Sequence, residues 1–216
     1  MKTLFNLLKK KPKEATLVLN PKGINTIGGK LNSEIELPEL ETSPMVYFGF
    51  ISKNETALEL IDFDLHLICP IFIDLQTSVF FDYSDSKKPR LIRNNVTSNL
   101  SQLFEDIPHS TYIEYKELNF SFNKSKKPKL DKVYDGEIGH SGVPNWIHDE
   151  DWPNCPITGN KMKFLFQLGD IDDCETIVGQ EILDKEYIDP YLHFGHGYLY
   201  VFYEPESKVI AYLNQL

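Results

Sequence analysis

Cysteine is scarce. Three residues, Cys69, Cys155 and Cys174, are spread over 216 positions. They are too few and too scattered for a disulfide framework, and they fit a reducing, cytoplasmic setting. Long apolar runs are missing as well; none approaches the ~20 residues of a membrane-spanning helix. The N-terminus lacks the order of a secretory leader, in which charge comes first, then a longer apolar stretch and a small-residue cleavage site. Positive charge is in deficit, with 22 Lys and Arg against 32 Asp and Glu, a net of −10. A nucleic acid is therefore not expected as partner, because binding it means neutralising phosphates with clustered cations. No membrane association is expected either.

Several catalytic signatures also fail. Gly139-His140-Ser141-Gly142 ends on Val143, where a nucleophile elbow requires glycine. Gly28-Gly29 lacks the further Gly and Lys of a phosphate-cradling loop. Asp170, Asp172, Asp173 and Glu175 lack the Gly and terminal Glu of a calcium loop. Cys155, Cys174, His193 and His196 offer nitrogen and sulfur ligands, but only the two histidines are closely spaced and no Cys pair exists. Structural zinc usually takes two close pairs. No metal and no cofactor are expected. Cys155 has His140 and His148 nearby in sequence, the raw material of a Cys–His nucleophile, without any sign that the side chains meet.

Aromatic residues are plentiful, with 14 Phe and 11 Tyr. They favour strands, since flat side chains pack well on a pleated surface. Charge is uneven. Residues 1–13 carry +5 and residues 124–132 carry +4, so the remainder carries −19. Such an acidic body attracts a basic partner. Asp149, Glu150 and Asp151 form a run that reads as a solvated acidic face.

Two stretches resemble each other. Ile27-Gly28-Gly29 leads through Leu37-Pro38 and Pro44 to Met45-Val46-Tyr47-Phe48-Gly49-Phe50-Ile51. Ile138-Gly139 leads through Gly142-Val143-Pro144, Trp152-Pro153 and Pro156 to Met162-Lys163-Phe164-Leu165-Phe166-Gln167-Leu168. Downstream, Val79-Phe80-Phe81-Asp82 matches Val201-Phe202-Tyr203-Glu204, each followed by a further strand candidate. The pattern predicts a single compact domain over 1–216. Copy 1 covers about 14–123, a Lys-rich linker 124–135, and copy 2 about 136–216. Leu4, Leu7 and Leu8 predict a short amphipathic helix ended by Pro12. Val96, Leu100, Leu103, Phe104 and Ile107 have helical spacing, with Thr97 or Ser98 as cap. Residues 171–188 predict a further short helix, and 112–122 a strand. The expected class is α+β, mainly antiparallel, with the two copies sharing one core about a pseudo-twofold axis.

The stretch from Gly136 to Asp170 carries a signature: Gly142-Val143-Pro144-Asn145-Trp146, Trp152-Pro153, Cys155-Pro156-Ile157-Thr158-Gly159 and Phe164-Leu165-Phe166-Gln167. It resembles the YwqG-like proteins and, more distantly, the programmed-cell-death-2 proteins. In many of these, paired thiols stand where this chain has Cys155 and Thr158. The resemblance implies a duplicated α+β fold and no established enzymatic activity. It also implies roles as dedicated chaperones of basic proteins or as immunity-type partners. The expected function is thus a non-enzymatic protein-binding module, monomeric or weakly oligomeric, that holds a basic client near Trp146, Trp152 and Phe164. The alternative is an enzyme or small-ligand binder using Cys155 with His140 or His148.

Overall fold

Segments rich in aromatic and branched residues become strands throughout the computed structural model, which describes residues 11–39, 45–70, 78–92, 112–126, 128, 137–181 and 190–216. In chain order they begin with β1 (Ala15–Leu19), β2 (Asn25–Ile27), β3 (Met45–Ile51), β4 (Leu65–Pro70), β5 (Val79–Asp82), β6 (Arg90–Ile92) and β7 (Glu114–Tyr115). They continue with β8 (Leu118–Asn123), β9 (Glu137–Ser141), β10 (Lys163–Leu168), β11 (Ile171–Val178), β12 (Tyr191–Leu192), β13 (Tyr198–Glu204) and β14 (Val209–Gln215). Eleven strands form one antiparallel sheet in the order β4-β3-β2-β8-β1-β9-β10-β13-β14-β5-β6, and β12-β11-β7 form a small second sheet. Among the described residues no helix is long and apolar enough to cross a membrane.

This corrects the α+β expectation: the described residues form a sheet protein with no helical element. The expected helices at the N-terminus and over 96–107 lie outside the described residues. The one expected over 171–188 is strand β11 in its described first part. Ile171, Cys174 and Ile177 are spaced like a helix stripe. In the structure Ile171 and Cys174 are buried while Ile177 and Val178 are exposed. The register of β11 shifts against both neighbours, which breaks strict alternation and mimics the longer period. Ser141 ends strand β9, and its hydroxyl donates to the Lys13 carbonyl at 2.7 Å.

The ladders carry an internal two-fold relation. At the centre, Val18 opposes Ser121, flanked by Leu17 opposite Phe122 and Leu19 opposite Phe120. Exchanging β1 for β8 about that point reproduces the pairing outward. Thr26 opposes Phe50 as His140 opposes Gln167. The β3–β4 register slips between Tyr47 and Gly49, and the β10–β13 register slips at the matching place, between Phe164 and Phe166. β2 is bonded to β8, and β9 to β1, so each half takes its inner strand from the other. The ladders relate Gly28 to Gly142, both with positive φ, and β4 to β13. The sequence similarity aligns Gly28 with Gly139 and β5 with β13. β5 instead extends the edge of β14.

The sheet curls until its ends meet. Phe48 of β3 and Phe81 of β5 both pack edge-on against Tyr212 of β14. The Tyr212 hydroxyl accepts from Ile68 N–H across the gap, and the Tyr83 hydroxyl donates to the His66 carbonyl. Inside lies the main core, with Leu17, Ile27, Phe120, Leu165, Leu199 and Val201 all at or below 2% exposure. Alternate residues of β13 and β14 point the other way. Tyr200, Phe202, Val209, Ala211 and Leu213 form an outer cluster with Phe80, Cys155, Met162 and Phe164. A sheet covered on both faces reads as a continuous apolar run, which is how 198–203 and 209–213 appear in the sequence.

Candidate functional site

The outer cluster is roofed by the link between β9 and β10. Three buried polar side chains on the strands hold that roof. Gln167 Oε1 accepts from Asn145 N–H at 2.7 Å. Tyr200 Oη donates to the Asn145 carbonyl at 2.6 Å. Gln215 Oε1 accepts from Ile147 and His148 N–H at 3.0 and 3.2 Å, while its Nε2 donates to the Asp149 carbonyl at 3.1 Å. Polar groups buried in an apolar strand must find partners, and here the partners are loop backbone.

The aromatic residues expected at a client groove are found together, half-sunk in this cluster. Trp146 stacks on Tyr200 at 4.8 Å and on Phe202 at 6.1 Å, and meets Trp152 edge-on at 5.7 Å. Phe164 is buried against Phe202. Trp152 Nε1 donates to Glu150 at 3.0 Å, and Lys161 Nζ sits 4.4 Å above the Trp152 ring. Cys155 is 1% exposed, its Sγ 3.2 Å from Ser207 Oγ. Ser207 in turn donates to the buried Glu204 carboxylate from both its hydroxyl and its amide.

His140 and His148 take other positions. His140 lies on β9 opposite Gln167. Burial pushes its pKa down to about 4, against weak opposition from the Ser141 backbone and Glu137. Neither of its ring nitrogens makes a hydrogen bond of normal geometry, and neither does Gln167 Nε2. His148 is exposed, and its backbone amide donates to Gln215 Oε1. The hydrogen-bond partner of the Cys155 thiol is thus a serine.

Compared with known proteins, the chain matches no family model, no curated protein and no solved structure.

Around this roof the surface is mixed. Val143, Ile147 and Ile157 are 53%, 39% and 57% exposed. Asp149 and Glu150 sit beside Ile147, and Asp151 follows, all exposed. Sequence reasoning found the aromatic members but missed Tyr200, Ser207, Glu204 and Gln215. The four nitrogen and sulfur donors Cys155, Cys174, His193 and His196 do not assemble into one cluster. Cys155 pairs with Ser207, and Cys174 Sγ donates to the Lys116 carbonyl at 3.3 Å. His193 and His196 instead converge with Asp170, their ligand atoms all within 4.8 Å of one another.

Proposed function

We propose that this chain is a non-enzymatic, cytoplasmic protein-binding module, a dedicated chaperone or immunity-type partner of a basic protein. Its two related halves, with exchanged inner strands, act as one unit. The observation that carries the reading is the roof over the outer cluster. Its backbone is pinned at Asn145, Ile147, His148 and Asp149. Within that pinned stretch Ile147 stays exposed, followed in the chain by exposed Asp149, Glu150 and Asp151, and Val143 and Ile157 are exposed on the same link. A link that exposes both apolar and acidic side chains suits a basic segment with apolar anchors. The net charge of −10 steers such a segment toward the protein. The resemblance to YwqG-like and programmed-cell-death-2 proteins supports the same reading. A buried thiol bonded to Ser207 gives the Cys–His enzyme reading no support.

The test is direct binding of a synthetic Lys/Leu-rich peptide, with a Glu/Leu-rich peptide as its counterpart. The basic peptide should bind more tightly, and its affinity should fall as salt rises. The double change Ile147→Ser with Ile157→Ser, and the neutralising set Asp149→Asn, Glu150→Gln, Asp151→Asn, should each weaken it by about tenfold, ~1.4 kcal/mol. Equal binding of both peptides, or variants that bind like the parent, would overturn the reading.

A further inference from the structure

Two turns meet at one end of the second half's sheet. Asp170 lies between β10 and β11, and His193 and His196 lie between β12 and β13. His196 Nδ1 is 3.1 Å from Asp170 Oδ2, and His193 Nδ1 is 3.8 Å from Asp170 Oδ1. We propose that Asp170, His193 and His196 form a binding site for a borderline divalent metal ion, zinc foremost.

The donor set selects the ion. Two imidazole nitrogens and one carboxylate suit zinc, which uses such three-residue sets where a further position stays open. Calcium and magnesium prefer oxygen throughout. The spacing fits as well. Two donors on tetrahedral zinc, each ~2.0–2.1 Å from the ion, lie ~3.3 Å apart. The two imidazole–carboxylate separations, one to each oxygen of Asp170, bracket that value, and the three ligand atoms lie within 4.8 Å of one another, so a small side-chain adjustment closes the set on an ion.

The site is also organised beforehand. Asp170 Oδ1 accepts from Phe194 N–H at 2.6 Å, which orients the carboxylate. Gly195 and His196 have φ of 65° and 63°, the two central residues of a tight turn closed by Gly197 N–H on the Phe194 carbonyl. Glycine or asparagine would serve that turn with less strain. The His196 ring, set against Asp170, is what this strained position adds. Access is open, because the Asp170 and His193 side chains are 20% and 15% exposed while His196 is 77% exposed. Exposed Asp172 and Asp173 nearby add a field that favours a cation. At present His193 Nδ1 accepts from Gly195 N–H at 2.8 Å. Coordination through Nδ1 displaces that bond, so the Gly195 amide reports on the site.

The experiment uses the full chain, stripped by chelator and titrated calorimetrically with zinc chloride. Magnesium and calcium chlorides serve as controls. One zinc per chain is expected, with no heat from the other two ions. Zinc should also shift the Gly195 amide resonance. Binding should weaken as pH falls, because imidazole ligates only unprotonated. Asp170→Asn and His196→Gly should each weaken zinc by at least about tenfold, and Cys155→Ser should leave it unchanged. Glycine suits the turn, so His196→Gly should keep the parent's melting temperature or raise it, which separates loss of a ligand from loss of the fold. Absence of zinc binding at millimolar ion, or stoichiometric binding that survives both Asp170→Asn and His196→Gly, would overturn the proposal.

Discussion

Gln215 is the second residue from the C-terminus of the sequence, yet it bears much of the roof. Replacing it with leucine keeps the bulk and removes every polar contact. Two amides, Ile147 and His148, lose their acceptor, and the Asp149 carbonyl loses its donor. A fourth contact, from Tyr200 Oη at 3.5 Å, is too long to count for much. Each orphaned group costs about 1–3 kcal/mol when buried, and less where water can reach it. Ile147 and His148 are exposed, so water reaches part of this backbone. The expected loss for Gln215→Leu is therefore about 2 kcal/mol rather than the sum of three full penalties. For a chain of this size that lowers the melting temperature by roughly 4–8 °C. Urea unfolding should show a lower midpoint at unchanged slope. Hydrogen exchange at Ile147 and His148 should accelerate well beyond that of β13 amides. Wild-type exchange at both amides, with a wild-type midpoint, would show that the loop does not depend on this side chain.

Four further outcomes are expected. Trp146→Ala, which removes the ring stacked on Tyr200 and Phe202, should cost about 2–3 kcal/mol in urea unfolding, below a full core truncation because the ring is half-exposed. A stability unchanged by that substitution would mean that the cluster does not hold the roof. His140 has a folded pKa near 4, below the ordinary value of 6.5, so only the unfolded chain takes up its proton between those limits. Its contribution is intact above pH 6.5 and is lost as pH falls toward 4, by up to about 3 kcal/mol, and His140→Leu should flatten this slope. A thiol reagent should label none of Cys69, Cys155 and Cys174 in the native protein and all three in urea. All are buried, and burial pushes the Cys174 thiol up to about 12 and Cys69 higher still. Val18→Pro removes an amide at the centre of the β1–β8 pairing, and should unfold the whole chain rather than one half.

Legibility in the sequence followed contact range. Strands β3, β10 and β13 are readable because aromatic runs between Gly and Pro breaks are local signals. The exchange of β1 and β8 was not, because no local pattern states that β2 bonds to β8 instead of β1. Gly142 and Gly139 are near neighbours of one type, both with positive φ, and only the ladder shows that Gly142 is the counterpart of Gly28 while Gly139 lies inside β9. At the site, Trp146, Trp152 and Cys155 stood out by rarity and by the Pro-rich setting. Gln215 did not, because its function lies in contacts with residues 147–149, far away in sequence. The Asp170 group was half visible: His193 and His196 are close in sequence, while their carboxylate partner comes from the turn before β11.

The two-fold relation explains where a site can form, because the links break it. In the first half the link from β2 to β3 sends Leu31, Ile35 and Leu37 into the main core. The corresponding link in the second half lies on the outer face, where Trp146, Trp152 and Cys155 join the second cluster. That cluster needs a wider floor than β10, β13 and β14 supply. The floor is completed by Phe80 of β5 and Ile92 of β6, strands that belong to the first half of the sequence and attach to the edge of β14. The roof comes from one half and part of its floor from the other. With β1 and β8 already exchanged, neither half alone holds a complete inner ladder or a complete outer cluster. A face built this way appears only when the whole chain has folded, so the client binding we propose would depend on the folded state of a single cooperative unit.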